Sequence, residues 1–165
     1  MPSSDSHQFR ASRLWKLVSR DDQFTAALAF WSEGDATTQG QAVDAIARHL
    51  KFRHKSVMAL PDDRKARHLA SLPVVPDLVA SRLLIVYHLK TKRPMMAAFL
   101  DAIGIAHDHG LISEELLAPP DAARCQQAAR DLATAFPRDD VTLYFATLVS
   151  QDEDLWAALK GLAGS

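Results

Sequence analysis

From Gln8 onward, apolar residues recur at spacings of three and four, and no segment keeps the strict alternation of a half-buried strand. The pattern predicts an all-α fold, a compact irregular or orthogonal array of eight to ten helices. It assigns residues 8–165 to a single domain and residues 1–7 to a disordered tail. Phe9, Leu14, Trp15, Leu17 and Val18 outline a first helix. Ser19 suits the N-cap of a second, with Asp22 in its first turn and Phe24, Ala27, Leu28 and Trp31 on one face. Glu33-Gly34-Asp35 breaks that helix. Thr38-Gln39-Gly40-Gln41 has the form of a capping box ahead of Val43, Ile46, Ala47 and Leu50, and Pro61 and Pro73 punctuate shorter helices within 53–75.

Residues 76–92 form the most apolar helix, with Pro76 in its first turn. Between Leu78 and Leu89 apolar side chains point in nearly every direction, which marks a central helix. Its thin polar stripe holds Asp77, Ser81, His88 and Lys92, and cations follow at its C-terminal end. Pro94 restarts the chain as a helix with Met95, Phe99 and Ile103 on one ridge and Met96 and Leu100 on another. Gly104 then ends it in a left-handed conformation, with Ile105 meeting Leu100 in a Schellman arrangement.

Ser113 fits the N-cap of a short helix, with Glu114 and Glu115 in its first turn and Ile112 stapled to Leu117. Pro119-Pro120 opens a longer helix reaching about Phe136, and Pro137 separates it from one carrying Val141, Leu143, Tyr144, Leu148 and Val149. Ser150-x-x-Glu153 then has the form of a capping box for the last helix. No turn of the Asn-Gly kind appears, so essentially no sheet is expected. The small residues, aromatic and terminating proline of Ala128–Pro137 resemble the helical hairpins of tetratricopeptide arrays. That resemblance implies antiparallel helix pairing, and no repeat recurs through the rest of the chain.

With 165 residues, 48% apolar and 24% charged, the chain can bury a core without disulfides or a structural metal. Its single cysteine, Cys125, falls in a helical pattern and reads as a small core side chain. The N-terminal MPSSDSHQFR lacks the apolar stretch of a signal peptide, and Leu83–Tyr87 is too short to cross a bilayer. The expected location is cytoplasmic, with no membrane partner. The net charge of −1 conceals a split: residues 1–100 hold 15 Lys and Arg against 9 Asp and Glu, and residues 101–165 hold 4 against 11. The basic part can dock an acidic partner or the chain's own acidic half.

Chemistry-bearing side chains crowd only in the Gly104–Gly110 loop, where His107, Asp108 and His109 offer ligand types that zinc, manganese or iron accept. This His-Asp pair, in a helical chain, resembles the HD-type metal-dependent phosphohydrolases. The resemblance implies an upstream histidine, such as His68 or His88, and a downstream aspartate, such as Asp131, Asp139 or Asp140. In that family the doublet belongs on a helix; here it follows a capping glycine. No cofactor is expected; a divalent metal is the one alternative the sequence leaves open, and a metal-dependent phosphohydrolase with His88 in support is one functional reading. The same residues also read as a polar interhelical loop, with Asp108 on backbone amides and His88 as a structural residue.

A second reading is a small-ligand-binding regulatory domain whose pocket is lined by Tyr87, Met95, Met96 and Phe99, side chains that serve equally well as core. Arg48, Lys51, Arg53, Lys55, Arg64, Lys65 and Arg67 make residues 48–68 the most basic window. Neither a helix-turn-helix nor a stacking aromatic motif accompanies it, which disfavours nucleic acid; the window reads first as a solvated amphipathic face or a seat for the acidic C-terminal half. The chain shows no Gly-rich phosphate loop, Gly-x-Ser-x-Gly elbow, Cys-x-x-Cys pair or His-Glu-x-x-His helix. The leading expectation is a non-enzymatic interaction or scaffold module that binds another protein or itself.

Overall fold

A computed structural model describes residues 8–163; the tail expected at residues 1–7 lies outside the described residues. The fold is all-helical, with one two-stranded hairpin among the described residues. Contacts divide the chain into two compact units, residues 10–87 in one and the residues from His88 onward, with Phe9, in the other. No helix among the described residues is long and apolar enough to cross a membrane.

The 10–87 unit contains α1 (Ala11–Trp15), α2 (Arg20–Glu33), α3 (Ala36–Leu50), α4 (His54–Met58), α5 (Asp62–Ser71) and most of α6 (Asp77–Thr91). Ser19 caps α2 as expected: its hydroxyl oxygen accepts from the Asp22 N–H at 3.3 Å and its O–H donates to the Asp22 carboxylate at 2.9 Å. Helices α2 and α5 lie along each other, burying Ala26, Ala27, Phe30 and Trp31 of one and Ala66 and Leu69 of the other. The inward face of α2 is thus rotated from the expected stripe, leaving Leu28 partly exposed. Leu17, expected in the first core ridge, is exposed in the turn after α1.

The capping box assigned to Thr38 starts one turn earlier. Asp35 is the N-cap of α3, its carboxylate accepting the Thr38 N–H at 2.9 Å and the Thr38 hydroxyl at 2.8 Å. An ionised carboxylate there serves both the orphan amides and the positive helix end better than a hydroxyl does. Gln39, next along, donates from Nε2 to the carbonyls of Phe30 and Trp31, closing the C-terminus of α2 across Gly34.

Asp35 and Asp77 should make this unit acid-sensitive. The Thr38 N–H and then its hydroxyl hold the Asp35 carboxyl below the usual range. The Ser12 side chain, then its N–H and Arg10, do the same for Asp77 against an opposing effect of burial. A depressed folded pKa means that the unfolded chain binds more protons in the window below about 3.9, so this stabilisation is complete above it and lost as pH falls through the folded values. Melting temperature should therefore drop on acidification below about pH 4. Asp35→Asn, which keeps a cap and removes the titration, should flatten that drop; an unchanged acid slope would show that Asp35 does not contribute to it.

Helix α6 has the density of a central helix: Val79, Ala80, Leu83 and Leu84 are fully buried. Its expected polar stripe fails at His88, which is only 2% exposed and has its ring centroid 5.5 Å from that of Tyr144.

The second unit continues with α7 (Arg93–Ala102), β1 (His107–Asp108), β2 (Leu111–Ile112), α8 (Ala122–Ala135), α9 (Arg138–Gln151), a 3-10 turn (Ala157–Leu159) and α10 (Lys160–Ala163). Phe99 anchors its core, with ring centroids 5.0 Å from Phe145, 5.8 Å from Tyr144 and 6.3 Å from Trp156. Gly104 has φ +70°, and the Ile105 N–H donates to the Leu100 carbonyl at 3.0 Å while the Gly104 N–H donates to Asp101 at 3.2 Å. That pair of bonds is the expected Schellman cap.

Three local expectations give way. The loop after Gly104 is a hairpin pairing His107 with Ile112 and Asp108 with Leu111, joined by His109 (φ 48°) and Gly110 (φ 95°), which supply the two positive φ values of a type I′ connection. His-Gly occupies the place in which the sequence reading sought Asn-Gly. The short helix from Ser113 is absent, and Leu117, its staple residue, is 92% exposed. Pro119 and Pro120 disfavour helical backbone just before them and leave too few residues to repay nucleation. The Ser150 box also fails, because α9 runs on to Gln151; Asp152 instead accepts the Leu155 N–H at 3.0 Å, and Glu153 pairs with Lys160 at 2.7 Å.

Candidate functional site

The His-Asp-His hairpin is seated on α7 by backbone and side-chain contacts. Arg93 is the key: its Nε donates to the Leu89 carbonyl at 2.8 Å and its Nη1 to the His109 carbonyl at 2.8 Å, tying the end of α6 to the hairpin turn. Gly110 completes the seat, since a Cβ there would lie 2.8 Å from Met96 Cβ. Only a glycine permits this approach of turn and helix.

Within the hairpin the imidazoles have different environments. His107 is mostly covered; its Nδ1 accepts the Gly110 N–H at 3.0 Å, which places its proton on Nε2, 2.7 Å from the Asp101 carboxylate. Both ring nitrogens are thereby committed, one to the hairpin and one to the end of α7. His109, at the turn, is exposed, and its Nε2 stands 3.8 Å from Asp108 Oδ1. An open recess of about 520 Å³ beside them is lined by Arg93, Pro94, Ala97, Asp108 and His109.

The donor set does not fit the metal that the HD resemblance implied: among the described residues, no group of three His, Cys, Asp or Glu side chains is arranged to hold an ion. Of the proposed downstream ligands, Asp140 binds Lys92 at 3.0 Å and Asp131 accepts from Gln127 Nε2 at 3.0 Å. His68 lies in α5 of the other unit, and His88 lies beside Tyr144. The His107 ring ties the hairpin to α7 through local polar bonds.

The residues nominated for a ligand pocket are core side chains. Tyr87 is buried at the end of the 10–87 unit, and Met95, Met96 and Phe99 are buried along α7. Burial raises the Tyr144 phenol well above its ordinary value, and burial followed by the Asp121 charge pushes the Cys125 thiol up, which leaves it a poor nucleophile. Sequence reasoning missed Asp101 and saw Arg93 only as a cation at a helix end. No periodicity marks a helix-end carboxylate as the partner of a histidine six residues later.

The basic window has a different character. Lys51 adopts φ 58° and ends α3, and the chain leaves the helix at Phe52, whose N–H bonds the Ala47 carbonyl at 3.0 Å. Phe52 is thereby 51% exposed. In α4, Val57 points inward while Met58, the next residue, is 58% exposed. His54 pairs with Asp44 at 3.2 Å, and Lys65 pairs with Asp62 at 3.3 Å and stands 4.8 Å over the Trp31 ring. Lys51, Arg53 and Lys55 are exposed and make no ion pair among the described residues. No family model matches the chain, and no curated protein or solved structure does either.

Proposed function

We propose that the chain is a non-catalytic helical interaction module that binds an acidic protein surface through residues 48–68. The observation that carries this reading is the exposure of Phe52 and Met58 among unpaired cations in one short stretch. Large apolar side chains framed by charge are the composition of a recognition surface: the apolar groups supply affinity as they are desolvated, and the cations supply approach rate and orientation. The low negative charge density within the window, two aspartates against seven Lys and Arg, selects a carboxylate-rich partner. The phosphohydrolase reading has no comparable support, because the His107 nitrogens are engaged by Asp101 of α7 and by the Gly110 N–H.

Replacing Phe52 and Met58 together by serine tests the apolar half of this surface. Both side chains are more than half exposed, so the melting temperature should stay close to that of the unchanged protein. Affinity capture should lose the partner that the unchanged chain retains, and an equilibrium titration with that purified partner should show a loss of about tenfold or more. A double variant that captures the same partner with the same affinity would overturn the assignment of Phe52 and Met58 to the interface.

A further inference from the structure

The 10–87 unit holds a recess of about 460 Å³ between the turn that follows α1 and the chain that leaves α5, roughly fifteen water volumes. Its apolar lining includes Trp15, Val18 and Val75, all nearly inaccessible, with Pro73 at the exposed edge. Its polar lining is of two kinds. Ser12, Gln23 and Ser71 are already engaged: Ser12 with Asp77, Gln23 Nε2 with the Trp15 carbonyl at 2.9 Å, and the Ser71 hydroxyl with the Arg67 carbonyl at 2.7 Å. Among the described residues Lys16 and Arg20 are the charged liners, and neither ammonium nor guanidinium has an ion-pair or hydrogen-bond partner there.

Among the described residues no acidic side chain lines the recess; Asp22 is held by the Ser19 hydroxyl and Asp77 by the Ser12 N–H and Arg10. Two cations with unspent donors therefore stand at an open, partly apolar recess whose volume is that of a small-molecule site. We propose that this recess binds a small organic anion, its charged group held by Lys16 and Arg20 and its apolar body lying on the accessible liners Leu72 and Pro73. Arg20 offers a planar fork suited to two oxygens and Lys16 a point charge, so a carboxylate or a phosphate ester satisfies the pair. This site is separate from the 48–68 surface, and either can fail without the other.

The test uses the full chain and three probes: 4-phenylbutyrate, the neutral 4-phenylbutyramide and inorganic phosphate, each titrated while backbone amide shifts are recorded. The expected result is saturable binding of 4-phenylbutyrate with the largest shifts in residues 12–23 and 70–75. The amide and bare phosphate should each bind about tenfold more weakly, one lacking the charge and the other the apolar body. Replacing Lys16→Gln and Arg20→Gln together, both exposed, should weaken 4-phenylbutyrate about tenfold and leave the amide unchanged. Equal affinity for acid and amide, shifts centred on other residues, or no saturable binding at millimolar concentration would each overturn the proposal. The ligand comparison stands even if the double variant does not fold.

Discussion

Leu84→Asp is expected to abolish the cooperative melting transition of this chain. Leu84 is 0% exposed and sits in α6 among Val79, Ala80 and Leu83, all equally buried. An aspartate there places a carboxyl in apolar surroundings that offer it no designed partner, and it removes the packing of an isobutyl group. Each effect costs about 2–5 kcal/mol, against a total stability of about 5–15 kcal/mol for a domain of this size. Leu78→Asp is the matched control on the same helix, because Leu78 is 55% exposed and its replacement should change the melting temperature little. If circular dichroism showed Leu84→Asp melting like the unchanged protein, α6 would not be the buried helix described above.

The next largest effect is expected from Gly110→Val. The residue at 110 must hold φ 95° at the hairpin turn, which a β-branched side chain strongly resists, and its Cβ would arrive 2.8 Å from Met96 Cβ. Backbone strain and overpacking together should cost about 2–5 kcal/mol. Gly104→Val gives a useful scale. It meets a similar φ of +70°, but its Cβ would approach only the flexible guanidinium of Arg124 at 3.1 Å, so it should cost less. Chemical denaturation of both variants checks the ordering; a Gly104 variant less stable than the Gly110 variant would mean that the hairpin does not rest on Met96.

These two glycines also mark what the sequence made legible. Gly104 was readable because a Schellman cap is set within six residues, and the same holds for the Ser19 cap. Gly110 was not, since its requirement comes from Met96, fourteen positions away on a helix that the turn folds back upon. Capping boxes misled where they competed with a stronger or longer-range effect: Asp35 displaces Thr38 as the cap, and Ser150 lies inside α9, which ends only at Gln151. The His-Asp-His cluster was legible as composition only. Strand geometry separates neighbouring side chains, and Asp101 with the Gly110 N–H claims His107, so proximity in sequence did not become convergence in space. The basic window was visible as charge, whereas exposure of Phe52 and Met58 depends on the left-handed turn at Lys51 and on which face of α4 Val57 anchors.

The proposed role of residues 48–68 is to engage an acidic partner. Its most direct test is a charge reversal of Lys51, Arg53 and Lys55 to glutamate, with partner affinity and melting temperature both measured across a salt series. The three cations are exposed and without ion pairs among the described residues, so the melting temperature should be nearly unchanged. Partner affinity should fall by about a hundredfold at low salt, chiefly through a slower association, and the gap between the two proteins should narrow as salt rises. A variant that keeps full affinity while melting at a lower temperature, most clearly at low salt, would contradict the claim and assign these cations to the stability of the chain itself.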